Sequence, residues 1–169
     1  GTLRTTAIAK RFDIKVITYL RTRKLLENNE ITKLIYALKN SVLLKEATYF
    51  CKLTDRLKVD NIDRFIKLAD MNGTYFWTIG LNKIKKISSG VETRFYGIPI
   101  KAYKDVFVDA YKDVDDENGM WLERVFYQRY RTTNIKCRKM ALYPDFLGKS
   151  GSMGIDYKVS RKVLVGKTL

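Results

Sequence analysis

The sequence predicts a mixed α/β domain whose sheet is flanked by helices, and three observations carry that reading. Ile14–Leu20 and Tyr49–Leu53 are β-branched or aromatic runs of strand length. Between them Ile31, Leu34, Ile35 and Leu38 recur at the spacing of one helix face. Strand, helix and strand within about forty residues make a βαβ unit, so the sheet is expected to be parallel at the front.

Along the chain, Asn28 and Asn29 are placed to cap the first helix, which the pattern carries to about Asn40. Ser41–Ala47 continues or restarts a helical turn. Asp60 or Asn61 can cap a second helix bearing Ile62, Phe65, Ile66 and Ala69. Asn72-Gly73 marks a turn, and Thr74–Ile79 reads as a strand. Asn82–Gly90 is a basic loop, and Glu92–Ile98 is a further strand. Lys101–Val114 is predicted as one helix with Tyr103, Val106, Phe107, Ala110, Tyr111 and Val114 on a shared face. An acidic connection, Asp115–Gly119, leads to a helix over Met120–Tyr130. Beyond Asn134 the pattern is less regular, with a strand at Lys136–Leu142 and a basic tail from Tyr157 to Val165.

The chain of 169 residues is long enough for one domain with a sizeable core. Hydrophobic residues at 46% and aromatic residues at 12% fit a folded protein. No apolar run approaches the roughly 18 residues of a membrane span, and the start of the chain lacks the apolar core of a signal peptide. A soluble, cytoplasmic protein is therefore expected. There is no histidine, and Cys51 and Cys137 have no paired metal spacing. This excludes Cys/His zinc sites, Ser-His-Asp and Cys-His nucleophilic machinery, and histidine acid/base roles. Thirty-three Lys and Arg against 18 Asp and Glu leave a net charge of +15. Such a field attracts anions: nucleic acid, acidic lipid or phosphorylated small molecules.

Tyr49–Asn61 is the stretch with the densest chemistry. A short apolar strand runs into Lys52, Thr54, Asp55, Arg56 and Asn61, and open α/β sheets bind ligands beyond the carboxyl ends of strands. The plainer alternative is that Asp55 caps a turn and Arg56 pairs with it. Glu123 is the acid singled out for catalysis: it stands near a helix start between Trp121 and Arg124, off the apolar face, where a carboxylate can serve as a general base. The alternative is an exposed helix Glu paired with Tyr or Arg. Gly148–Gly154 is rich in glycine and serine and carries Lys149, so its backbone can approach an anion, as can that of any flexible surface loop. Asp113-Val114-Asp115-Asp116 has the spacing of an Asp-x-Asp metal motif, but a negative lead-in to the next helix explains it better. Tyr127-Gln128-Arg129-Tyr130-Arg131 interleaves rings and charge in a way that also suits RNA.

Three segments, in this order, resemble bacterial capsular and lipopolysaccharide glycosyltransferases of the GT-A type. They are Glu27–Asn61, with Lys52-Leu53-Thr54-Asp55-Arg56 at its strand end; Thr93–Gly97 followed by Asp116–Tyr127, with Trp121-Leu122-Glu123; and Tyr143–Gly154. The resemblance spans roughly residues 14 to 157. It implies a GT-A-like, Rossmann-like mixed sheet and transfer of a sugar from a nucleotide-sugar donor to a surface polysaccharide or lipid-linked acceptor. It implies a catalytic Glu123 acting as base on the acceptor hydroxyl. Donor binding would fall to Lys52, Thr54, Asp55, Arg56, Asn61, Lys149, Ser150, Gly151 and Ser152, with basic groups neutralising the leaving phosphate in place of a metal. No cofactor is fixed, and Mn or Mg remains open. Asp55 stands where the pattern has glycine. Only about thirteen residues precede the first strand, where a GT-A domain places a nucleotide-gripping strand and loop. Either the chain is the C-terminal part of a larger glycosyltransferase domain, or the nucleotide site is lost. An anionic membrane face would suit the basic surface. The reading of another class is a non-enzymatic basic module of a ribonucleoprotein assembly; a phage or mobile-element protein that binds DNA is a third.

Overall fold

The computed structural model describes residues 30–54, 57–79, 90–135, 137–138, 142–149 and 156–157. The chain divides into two compact units, Gly1–Ala47 and Thr48–Leu169. The predicted strand Ile14–Leu20, the basic loop up to residue 89 and the tail beyond Tyr157 lie outside the described residues.

In the first unit, α1 (Glu30–Asn40) and α2 (Val42–Glu46) follow one another with a single residue between them. Ala37 and Leu38 are the buried positions of α1. Ser41 explains why the helix restarts rather than continues: its backbone turns extended and its hydroxyl accepts from the Leu44 N–H at 3.3 Å. That satisfies a donor that the first turn of α2 leaves open.

The second unit is built on β1 (Tyr49–Leu53), as expected, and among the described residues its strand partner is antiparallel. β1 pairs antiparallel with β5 (Phe95–Pro99), Tyr49 opposite Pro99 and Leu53 opposite Phe95. On its other side β5 meets Tyr75, whose N–H donates to the Gly97 carbonyl at 2.7 Å and whose carbonyl accepts from the Gly97 N–H at 3.2 Å. Beyond lies Thr74, bridged to Cys137. A second sheet joins β2 (Leu57–Val59), β6 (Phe146–Lys149) and β7 (Asp156–Tyr157), and a small pair joins β3 (Thr78–Ile79) to β4 (Gly90–Val91). All named strand pairs among the described residues are antiparallel. The expected parallel partner of β1, Ile14–Leu20, lies outside the described residues; the antiparallel pairing with β5 is one that apolar periodicity does not specify, because it identifies a strand but not its partner or direction.

Successive residues of a strand point to opposite faces, so the aromatic run makes two cores rather than one. On one face Tyr75, Trp77 and Phe95 surround Phe65 of α3 (Ile62–Leu68), at ring separations of 5.6, 5.8 and 5.0 Å. Leu57, Val59, Leu142 and Phe146 close this cluster. On the other face Phe50, Phe76 and Tyr96 pack with Tyr103 and Phe107 of α4 (Ile100–Val106) and its end, and with Phe126 of α5 (Leu122–Thr132). Each buried ring contributes about 1.5–3 kcal/mol, so the two clusters are the main source of order. The indole N–H of Trp77 keeps a partner in the dry interior by donating to the Leu142 carbonyl at 2.9 Å.

The helix expected over Lys101–Val114 is broken. α4 ends at Val106, and a 3₁₀ turn follows at Ala110–Asp113. The Phe107 and Val108 N–H groups both donate to the Tyr103 carbonyl, and Arg129 of α5 donates to the Val106 carbonyl at 2.8 Å. The break rotates Tyr111 out of the shared face; it is exposed, whereas Tyr103, Phe107 and Ala110 are buried.

Candidate active site

The polar end of β1 turns toward residues 92–94, the stretch between β4 and β5. The Thr54 N–H donates to the Arg94 carbonyl at 2.9 Å, extending the ladder past the strand end. Lys52 then donates to Thr54 Oγ1 at 2.9 Å and to the Thr93 carbonyl at 2.6 Å. Thr93 is buried, and its hydroxyl donates to Glu123 Oε1 at 2.9 Å. Three residues named from sequence, Lys52, Thr54 and Glu123, therefore belong to one connected cluster, and Thr93 is its hub. Glu123 lies in the first turn of α5, half-buried. Gly90 of β4 brings this turn close: a methyl built there would stand 3.0 Å from Glu123 Cβ and 3.1 Å from its carbonyl carbon and oxygen.

Glu92 and Arg94 point away from that cluster and anchor its backbone. Glu92 is only 2% exposed. Its carboxylate takes both the Arg94 side chain, with Nε donating at 2.6 Å and a second guanidinium nitrogen to the other oxygen, and the Arg94 backbone N–H at 2.9 Å. Arg94 in turn lies against the rings of Phe146, at 4.6 Å, and Tyr157, at 4.7 Å. The Tyr143 hydroxyl donates to the remaining side of Glu92 at 3.4 Å. Burial, reinforced by the neighbouring Glu92 charge, pushes that hydroxyl up to about 12. A buried carboxylate satisfied this completely is a positioning device for the 92–94 stretch.

Asn61 takes the N-cap position of α3, as expected, but its side chain makes no capping bond to the helix. Its amide donates to the Tyr143 carbonyl at 2.7 Å and its carbonyl accepts from the Asp145 N–H at 3.0 Å. It ties the helix start to the chain before β6, so both ends of the amide are engaged inside the fold. Lys149 ends β6, exposed and in register with Asp156, and Gly148 before it takes the left-handed φ of 128°. Asp55, Arg56, Ser150, Gly151 and Ser152 lie outside the described residues.

The Asp113–Asp116 run resolves into structural roles. Arg129 reaches Asp113 at 2.9 and 2.5 Å and also bonds Asp109. Asp115 closes a turn instead of leading into α5: its carboxylate accepts from the Asn118 N–H and side-chain amide, at 3.1 and 2.7 Å. Among the described residues no group of three His, Cys, Asp or Glu side chains is placed to hold a metal ion, and no helix is long and apolar enough to cross a membrane.

The sequence places Glu92 and Thr93 at the start of a strand, with Thr93 opening a segment of the resemblance, and assigns neither a role in the site. The signal that could have found them is polar: Glu-Thr-Arg interrupts an otherwise apolar strand, and a charged pair there must be paired to be buried. Comparison with protein-family models, curated proteins and solved structures gives no match for the chain.

Proposed function

We propose that the chain is a glycosyltransferase, or the C-terminal part of one, that moves a sugar from a nucleotide-sugar donor to a polysaccharide or lipid-linked acceptor. The observation that carries the reading is the hydrogen-bonded path from Lys52 and Thr54 through Thr93 to Glu123. A cation and a carboxylate that the motif resemblance assigns to opposite sides of the reaction share a single buried hub. In this reading Lys52 stabilises the departing diphosphate, where a preorganised charge favours the transition state. Glu123 takes the proton of the attacking acceptor hydroxyl, and the Thr93 hydroxyl holds one carboxylate oxygen so that the other is presented in a fixed direction. Charge neutralisation by Lys52 replaces a metal at the phosphates, and a chelator in the assay tests that directly against Mn or Mg dependence. An acceptor carried on an anionic membrane fits the +15 charge.

The test is a thermal-shift screen with uridine, guanosine and cytidine diphosphates and their sugars, followed by transfer assays of Glu123→Gln. The expected outcome is a rise in melting temperature with one nucleotide, and a rate loss of about 10²–10⁴-fold in the variant with its melting unchanged. Steeply salt-dependent RNA binding, with no response to any nucleoside diphosphate, points to the ribonucleoprotein module instead.

A further inference from the structure

We infer that the indole of Trp121 is a stacking platform for a saccharide ring, which under the reading above is the acceptor. Trp121 is one of two tryptophans and is 44% exposed, in contrast to Trp77 at 1%. Its ring is held, not loose. The Arg124 guanidinium lies over it at 4.4 Å, and the same guanidinium donates to the Gly119 carbonyl at 2.9 Å. Gly119 itself takes the left-handed φ of 72°, which places that carbonyl at the end of the turn entering α5. The Trp121 carbonyl accepts from the N–H groups of Arg124 and Val125 at 2.9 and 3.1 Å, so the residue is fixed at the backbone as well.

The chemistry matches a sugar. A pyranose presents a patch of axial C–H groups, weakly positive and apolar, that complements the electron-rich face of an indole. Its hydroxyls need planar donors and acceptors at the rim, and Arg124 and Glu123 are the next charged residues along the chain. Trp121 and Glu123 both belong to the start of α5, Trp121 at its N-cap and Glu123 in its first turn. A preordered aromatic contributes contact area with little loss of conformational freedom.

The two tryptophans make the test direct. Emission from the solvent-facing indole belongs to Trp121, because Trp77 is buried and bonded to Leu142. The purified chain is titrated with the methyl glycosides of glucose, galactose and N-acetylglucosamine and with maltotetraose, cellotetraose and chitotetraose. A saturable blue shift of the Trp121 component is expected for at least one sugar. It should vanish in Trp121→Phe, whose melting temperature should match the parent because the site is exposed. Trp121→Ala should weaken saccharide binding about tenfold, measured by calorimetry. In a transfer assay the same variant should raise the acceptor KM and leave the donor KM unchanged. Saccharide binding that is as tight in Trp121→Ala as in the parent, or emission that no saccharide alters, overturns the inference. If sugars act on Trp121 while no nucleoside diphosphate stabilises the chain, the saccharide platform stands and the transferase reading falls. If a nucleotide stabilises the chain and no sugar reaches Trp121, the platform falls alone.

Discussion

The Thr93 hydroxyl donates to the Glu123 carboxylate at 2.9 Å, across thirty positions of sequence, from a side chain that is itself buried. This bond fixes the carboxylate relative to the end of β1, because the Thr93 carbonyl also accepts from Lys52. Thr93→Val keeps the shape and removes the donor. The expected cost is about 1 kcal/mol of stability and about a tenfold loss of transfer rate, with Thr93→Ser restoring most of the rate. Chemical denaturation and steady-state kinetics on the three proteins check it. An unchanged rate in Thr93→Val would detach Glu123 from the cluster.

Arg94 and Glu92 form the most completely buried ion pair described. Arg94→Ala leaves the carboxylate inside with no cation and strips a planar group from between Phe146 and Tyr157. Arg94 keeps 28% of its side-chain surface exposed, so the loss should fall near the lower end of the range for breaking a buried pair, about 3 kcal/mol. Arg94→Lys should recover only part of it, lacking the planar two-pronged contact. Denaturant midpoints rank the three proteins, and equal midpoints for Ala and Lys contradict the argument.

Gly97 sits where β5 is crowded from below. A methyl there would overlap the Tyr49 hydroxyl and stand 3.2 Å from Phe65 Cζ. That hydroxyl is buried and has no hydrogen-bond partner among the described residues. Gly97→Ala should therefore cost about 1–3 kcal/mol. Tyr49→Phe removes an unsatisfied group and should be neutral or mildly stabilising. Combined, the two changes should cost less than their separate effects predict. A double-mutant cycle by urea unfolding measures the coupling, and strict additivity would refute the crowding.

Acid should loosen the join between α4 and α5. Hydrogen bonding to Arg129, then its charge, holds the Asp109 carboxyl below the usual aspartate range. A carboxyl with a lowered folded pKa adds stability that is present above its unfolded value, near 4, and lost as pH falls through the lower folded value. Arg129→Gln should abolish that acid limb while leaving the rest of the pH profile intact. Melting temperatures between neutral and strongly acid pH decide it. The Asp109 site is exposed and its pairing screened, so the limb should also shrink at high salt.

Local pattern read the elements whose reasons are local. Tyr49–Leu53 announces a strand by its side chains, and Ser41 announces a helix restart by the hydroxyl it offers to Leu44. Phe65 and Phe126 fell on apolar helix faces, as their spacing requires. What stayed hidden depends on contacts far apart in sequence. That β1 lies beside β5 is decided by packing of Phe50 with Tyr96 and Tyr103, which no window of ten residues contains. The break after Val106 is completed by Arg129, and the same arginine pairs with Asp113. Asn61 sits at the helix start that its type announces, while the contacts of its amide to Tyr143 and Asp145, more than eighty positions away, have no local signature. In the site, Lys52, Thr54 and Glu123 were legible as residue types at motif spacing, while the role of Thr93 as the hub between them was not, because it rests on contacts 41 positions back to Lys52 and 30 positions on to Glu123.

Gly90 acts as a shim of zero thickness. β4 lies so close to the first turn of α5 that the reach of Glu123 is set by how much atom is placed between them. Alanine and then serine at this position form a graded series that moves the helix start by tenths of an ångström without touching the carboxylate. The distance between an acid and its target thereby becomes an adjustable setting of the fold, and the sensitivity of rate to misplacement can be measured as a slope instead of a single loss.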